Sequence, residues 1–388
     1  MNGNSIEATE SNIVTLKEDK LFQIDLLKAL MIGLVIIDHS LVYSNLNGLG
    51  FQLWERIAIP VFLIIMGFNM GKSFSKESHL KLKELYSWRY FKKKFWRYVY
   101  PYIILYIIGT LIGFILYGLS FPSIFNENWF LEYIIFQKSL LQGPGNWFIP
   151  VLFQSIIIMP LLYYSFSKWP KITLILCFII EFLMHLLVFF VVGNITSPEE
   201  ILLEANFRNI ILLYVSALGM GMWLSKYQGI FTKKNLFVWI LFPVSTLYMI
   251  AWDFFNFRLA INGASILRGD YNSLTFLYSA FIFLLFLNFI PETANQKVAK
   301  TFKIIGRSTF HIFLVQDLYF TISYIIHETI WGSIGGITIV NIIGVATENL
   351  FINFSLLILN WTICISCGVV WWYTDKKIIQ LRLEKKIS

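Results

Sequence analysis

One apolar stretch of the sequence, from Asp25 to His39, contains several ionisable side chains. Placing an ionisable side chain in an apolar segment long enough to span a membrane costs free energy, so each of these residues is a candidate for function. The imidazole of His39 is suited to exchange a proton near neutral pH. A neutral imidazole that takes the proton of a hydroxyl makes that hydroxyl a better nucleophile. The stretch therefore indicates general-base chemistry, with Lys28 as a cation for an anionic ligand.

The spacing of Lys28 and His39 places both on one helix face. They lie eleven residues apart, and eleven residues of α-helix make three turns plus about 20° and rise about 16 Å. If this helix crosses a membrane with its N-terminus on the cytoplasmic side, Lys28 lies near its cytoplasmic end and His39 well inside the membrane. This layout suits a long ligand with an anionic head and a reactive tip, such as an acyl-coenzyme A (acyl-CoA). A simpler interpretation stays open, because a lysine at a helix end commonly anchors the helix at the interface.

Two aspartates accompany these residues. Asp25 lies three positions before Lys28, a spacing at which two helical side chains pair. Asp38 is adjacent to His39 and points about 100° away around the helix, so it is a poor partner within the same helix. For His39 itself, a hydrogen bond to a neighbouring helix is the alternative to a role in chemistry.

The helix that carries these residues is one of about ten apolar segments. Hydrophobic residues make up 57% of the 388 residues and charged residues 14%, whereas soluble domains have about 45–50% and about 25%. This composition excludes soluble globular, disordered and fibrous proteins. Segments long enough to span a bilayer fall near residues 24–44, 53–71, 99–118, 147–166, 172–193, 208–225, 235–253, 272–290, 305–326 and 350–373. The sequence predicts an all-α integral membrane protein, a bundle of about ten transmembrane helices.

The distribution of basic residues predicts the orientation of the bundle. Of the 31 Lys and Arg residues, this layout puts five on the outside, Arg56, Lys138, Arg208, Arg258 and Arg268. Because cytoplasmic loops are enriched in Lys and Arg, we expect both termini to be cytoplasmic in the cell membrane. The net charge of +8 then reflects topology, so nucleic acid is not expected as a partner. The histidine and cysteine spacings predict no metal site.

The chain divides into a polar cytoplasmic segment at 1–21, one ten-helix membrane domain at 22–374, and a basic cytoplasmic tail at 375–388. Within the domain, 75–98 is the largest cytoplasmic connection. Apolar residues recur there at helical spacing, at Leu82, Leu85, Trp88, Phe91 and Phe95. The pattern predicts an amphipathic basic helix. It fits an interfacial helix on anionic lipid and also a basic lip for an anionic substrate, and the two are compatible.

Five motifs follow one another along the chain. They are Phe22–Ser40 with Lys28 and His39, Ile59–Phe68 with Met66 and Gly67, Lys93–Tyr102 with Lys94, Arg97 and Pro101, Gly145–Phe148, and Ile305–Gln316. In this order they resemble the acyltransferase 3 family of integral membrane acyltransferases, whose first helix carries a basic residue, ten positions and a His. Lys28 stands where that family usually has Arg, Met66 where it has Ser, and Gln316 where it has His.

The resemblance implies transfer of an acyl group, often acetyl, from cytosolic acyl-CoA to a hydroxyl of an envelope glycan or lipid-linked acceptor. It implies His39 as the general base, either directly or through an acyl-imidazole. Lys28, Lys94 and Arg97 are candidates to hold the phosphates of acyl-CoA, which is the co-substrate, with no bound cofactor. Asp25 and Asp38 are possible supporting residues.

Three further residues complete the candidate set. Asn146 and Trp147 lie at the outer mouth of the fourth helix and are candidates for the acceptor side. The alternative is an interfacial aromatic residue beside a helix cap. Gln316 is a candidate for support by hydrogen bonding, although its amide cannot titrate.

Two other classes of function remain as alternatives. A transporter or flippase of an envelope precursor would use Asp38 and His39 as a proton relay. It would favour two similar halves with matching broken helices, which the sequence does not display. A catalytically silent relative that acts as a scaffold is the other alternative.

Overall fold

The computed structural model describes residues 22–40, 50–76, 81–117, 145–193, 203–204, 206–261, 264–267, 271–326 and 350–384. Within these ranges the chain is predominantly helical. The long helices are α1 (Phe22–Ser40), α2 (Ala58–Ser75), α3 (Tyr100–Tyr117), α4 (Phe148–Lys168), α5 (Pro170–Val192), α6 (Val215–Lys226), α7 (Leu236–Phe255), α8 (Ser273–Phe289), α9 (Gln296–Ile326) and α10 (Leu350–Glu384).

Short elements join the long helices. Single helical turns lie at Phe51–Trp54 and Leu82–Leu85, a two-turn helix at Trp88–Lys94, 3-10 turns at Ile211–Tyr214 and Lys233–Asn235, and a π-helical turn at Phe95–Val99. One antiparallel hairpin pairs strand β1 (Ala260–Ile261) with β2 (Ala264–Ser265), in a register that places Ala260 opposite Ser265.

A helix lies at each of the ten predicted apolar segments, so the all-α prediction is confirmed for the described residues. Six helical stretches there are long and apolar enough to cross a membrane, Ala58–Ser75, Leu82–Ile112, Phe148–Lys168, Pro170–Val192, Lys233–Phe255 and Phe354–Leu381. Two more, Ile211–Lys226 and Ser273–Phe289, are apolar but shorter. The count of ten spans and the cytoplasmic position of both termini stay predictions, and residues 1–21 lie outside the described residues.

The predicted amphipathic stretch at 75–98 folds in several pieces. Leu82–Leu85 and Trp88–Lys94 are separate short helices, because Ser87 starts the second one by accepting a hydrogen bond from the backbone N–H of Tyr90. The second helix then continues through the π-helical turn into α3. The basic residues from Arg89 to Arg97 are therefore continuous with a helix that is long and apolar enough to cross a membrane.

Glycine allows α2 and α6 to pack backbone against backbone. A Cβ atom on Gly67 would overlap the carbonyl oxygen of Leu218, and one on Gly221 would overlap that of Ile64. Small residues at such positions let membrane helices approach closely. The Gly67 of the second motif is thus explained by a helix crossing.

Helix α9 packs closely against both α1 and α10. A Cβ on Gly306 of α9 would lie 2.5 Å from the carbonyl oxygen of Asp25 in α1. On the other side, a Cβ on Gly368 of α10 would lie 2.5 Å from the Cα of Ile312. The first turn of α1 is therefore positioned by α9.

Candidate active site

His39 lies in the last turn of α1, and its side chain is 19% exposed. Its ring packs edge-on against Phe320 of α9, with 6.0 Å between the ring centroids. The Nδ1 atom lies 3.6 Å from Oδ2 of Asp38, which is within ion-pair range but longer than a hydrogen bond. An aromatic contact therefore orients the imidazole, and Asp38 supplies a negative charge beside it.

Two arginines outside the predicted candidate set belong to the surroundings of this histidine. Arg56 and Arg208 are near enough for a long-range effect of their charges on the imidazole of His39. Arg56 also pairs with the buried Glu55, with 3.8 Å between Nε and Oε2. The sequence gives one indication of these arginines, because both belong to the small set of basic residues predicted to lie on the outer side of the membrane.

Trp147 is the centre of an aromatic cluster beside Arg208. It stacks on Tyr271 at 5.6 Å between centroids and lies 5.6 Å from Tyr214. The guanidinium carbon of Arg208 lies 4.5 Å from the ring centre of Trp147, and Tyr214 donates a hydrogen bond to the carbonyl of Arg208. Trp147 thus links Arg208 to the start of α4.

The turn before α4 differs in detail from a side-chain cap at Asn146. The N-cap position is Trp147, whose side chain makes no capping hydrogen bond. Asn146 instead accepts a hydrogen bond from the backbone N–H of Ile149 through its carbonyl. Gly145 has a φ of +110°, and a Cβ there would lie 2.9 Å from the ring of Phe313 in α9. Glycine is therefore required at this turn by both its conformation and the contact.

Lys28 and Asp25 lie near the opposite end of α1. Nζ of Lys28 is 3.7 Å from Oδ1 of Asp25, which confirms the predicted pairing. Asp25 is buried, and its backbone lies against Gly306 of α9. The paired lysine is thereby held at the first turns of α1.

Lys94 and Arg97 form a second cationic group around Tyr98. Nζ of Lys94 lies 5.6 Å from the ring centre of Tyr98 and 3.0 Å from Sδ of Met70. The guanidinium carbon of Arg97 lies 5.2 Å from the same ring. Tyr98 packs edge-on against Phe310 of α9, with 5.2 Å between centroids. Since Phe310 is one helical turn beyond Gly306, the two cationic groups border neighbouring turns of α9.

Gln316 is fully buried in α9 and is followed by the buried Asp317. His311, on a different face of this helix, pairs with Asp375 of α10 at 3.0 Å between Nε2 and Oδ2. This buried pair connects α9 to α10, and sequence spacing alone did not reveal it because the partners are 64 residues apart.

The site combines an imidazole at one end of the α1–α9 pair with cations at the other. Such an arrangement is able to hold a long anionic molecule and remove a proton near its far end. Among the described residues, no group of three or more His, Cys, Asp or Glu side chains is arranged to hold a metal ion.

Comparison with known proteins gives one family. The family described as an acyltransferase domain matches residues 21–372, nearly the whole chain. The curated proteins and the solved structures contain no significant match. The matched region includes every described residue of the site.

Proposed function

We propose, on the premise that this chain belongs to the acyltransferase 3 family, that it transfers an acetyl or related acyl group from acyl-CoA to a hydroxyl of an envelope glycan or lipid-linked acceptor. The family makes the chain an acyltransferase. The donor, the acceptor and the role of His39 are the proposal.

The observation that carries the proposal is the pairing of α1 with α9. Lys28 is held at one end of α1 by Asp25, which lies against Gly306. His39 is held at the other end by Phe320. The two side chains are separated by about 16 Å along the axis, a length of the order of the pantetheine arm that joins the phosphates of CoA to its thioester.

His39 acts in this mechanism as the base. The hydroxyl oxygen of the acceptor attacks the thioester carbonyl while the imidazole of His39 takes the hydroxyl proton. The carbon–sulfur bond then breaks, and the imidazolium returns the proton to the departing CoA thiolate. The products are the acyl ester and free CoA. Asp38, at 3.6 Å, is close enough to stabilise the imidazolium between these steps.

Lys28, Lys94 and Arg97 bind the anionic head of the donor. Arginine and lysine both form strong charge-assisted hydrogen bonds with phosphate oxygens. Lys94 and Arg97 surround one ring, that of Tyr98, which lies against α9. Their common location supports a single binding place for the head of the donor.

The test is label transfer from radiolabelled acetyl-CoA in membranes that carry the wild type, His39→Ala or Leu30→Ala. Leu30 is a matched control, because it lies on the same helix and is exposed. We expect label in an envelope fraction with the wild type and Leu30→Ala, and none with His39→Ala at equal protein level. Normal transfer by His39→Ala would disprove His39 as the general base, and no transfer by the wild type would disprove acetyl-CoA as the donor.

A further inference from the structure

One stripe of α9 faces the candidate site along its whole length. It consists of Gly306, Phe310, Phe313, Asp317 and Phe320, spaced by four, three, four and three residues. These spacings keep the five positions on one side of an α-helix. We call this set the site-facing stripe.

Four members of the site-facing stripe contact four different parts of the site. Gly306 lies against Asp25, Phe310 against Tyr98, Phe313 against Phe148, and Phe320 against His39. The stripe therefore extends from the cationic end of the site to the imidazole.

Asp317 is the ionisable member of the stripe. It is 3% exposed, and its Oδ1 atom has no hydrogen-bond partner among the residues that the structure describes. It lies on the same side of α9 as Phe313, which contacts Phe148, and Phe320, which contacts His39. A buried oxygen without a donor costs free energy. A ligand that brings an N–H or O–H group to this position would remove that cost.

The position of Asp317 along α9 determines which part of a bound acyl-CoA lies beside its carboxyl group. It lies three residues before Phe320, a rise of about 4.5 Å from the level of His39. A donor with its head at Lys28 and its thioester at His39 passes Asp317 close to the reactive end. In acyl-CoA, the amide N–H nearest the sulfur is separated from it by two methylene groups.

We infer that Asp317 accepts a hydrogen bond from this amide N–H and so recognises pantetheine thioesters as a class. The inference rests on the proposed function, since it requires the donor to occupy the site. Asp317 is then a donor-binding residue, and it selects acyl-CoA over thioesters that lack the amide.

The test compares acetyl-CoA with an analogue in which a methylene group replaces this N–H. For the wild type, we expect the analogue to lower kcat/KM about fivefold, the equivalent of one net hydrogen bond. Asp317→Leu should show no difference between the two donors. Asp317→Asn should retain most of the difference, because the amide oxygen of Asn also accepts a hydrogen bond.

Asp375→Leu is the matched control, a Leu in place of another buried aspartate, which pairs with His311 away from the stripe. It should keep the wild-type difference between the two donors. The inference is overturned if the wild type uses both donors equally, if Asp317→Leu shows the wild-type difference, or if Asp375→Leu loses that difference. In each of these cases, transfer from acetyl-CoA by the wild type still upholds the proposed function. If the wild type does not use acetyl-CoA, both fail together.

Discussion

Replacing Gly67 by alanine tests whether the α2–α6 crossing holds the membrane domain together. The added Cβ would overlap the carbonyl oxygen of Leu218 and lie 3.0 Å from its carbonyl carbon and 3.1 Å from the amide nitrogen of Met222. All three are backbone atoms of α6, so no side-chain rotation relieves the overlap. The two helices must separate by about 1 Å to reach ordinary contact distances.

Gly33→Ala is the control, because among the described residues no atom outside the local helix backbone would lie within 4 Å of a Cβ there. Both substitutions gain about 0.5–1 kcal/mol from the better helix propensity of alanine. This gain cancels between the two variants, and the overlap remains. Overpacking of this kind costs about 1–3 kcal/mol. We therefore expect the free energy of unfolding of Gly67→Ala to be lower than that of Gly33→Ala by about 1–3 kcal/mol.

The assay is unfolding of the purified protein by increasing SDS in mixed micelles, followed by tryptophan fluorescence. Size-exclusion profiles before the titration check that both variants are folded. Equal midpoints and slopes for Gly67→Ala and Gly33→Ala would refute the reasoning, because they would mean that the helix backbones do not approach as closely as the geometry requires.

Three further outcomes are expected. Lys28→Arg should keep a KM for acyl-CoA close to that of the wild type while Lys28→Ala raises it, and equal behaviour of the two would make Lys28 an interfacial anchor. Asp375→Leu should lower the free energy of unfolding by about 1–3 kcal/mol, because it leaves His311 buried without its partner. The double variant His311→Leu/Asp375→Leu should recover most of this loss in the same SDS titration. Gly306→Ala should lower kcat/KM for acyl transfer by tenfold or more, since a displacement of about 1 Å in a site is able to cost 10²-fold. Gly33→Ala should leave kcat/KM unchanged.

The helices and the faces of α1 were predictable because both depend on local order in the sequence. Apolar length marks the segments, and the spacing of Asp25, Lys28 and His39 defines one side of a helix. The pairing of Asp25 with Lys28 needs only a separation of three residues, and the structure has it. Information of this kind is contained in the sequence within a few turns.

The residues of other helices that pack against each helix face were not predictable from local sequence order. Arg56 and Arg208 come near His39 through the packing of segments far apart in the chain. In the sequence, Asp317 is one of several polar residues within an apolar segment. Its importance comes from the contacts of the residues around it on α9. The helix–helix register that produces these contacts depends on side-chain volumes at each crossing, which a hydropathy pattern does not specify.

The π-helical turn at Phe95–Val99 accommodates about one residue more than an α-helical turn would. Tightening it into α-helical geometry at unchanged chain length would rotate the preceding segment by roughly 90° relative to α3. Lys94 would then leave Met70 of α2, whose Sδ atom now lies 3.0 Å from its Nζ. Removing one residue together with this tightening would offset the rotation. The direction of this basic side chain is therefore set by the turn and the number of residues in it together.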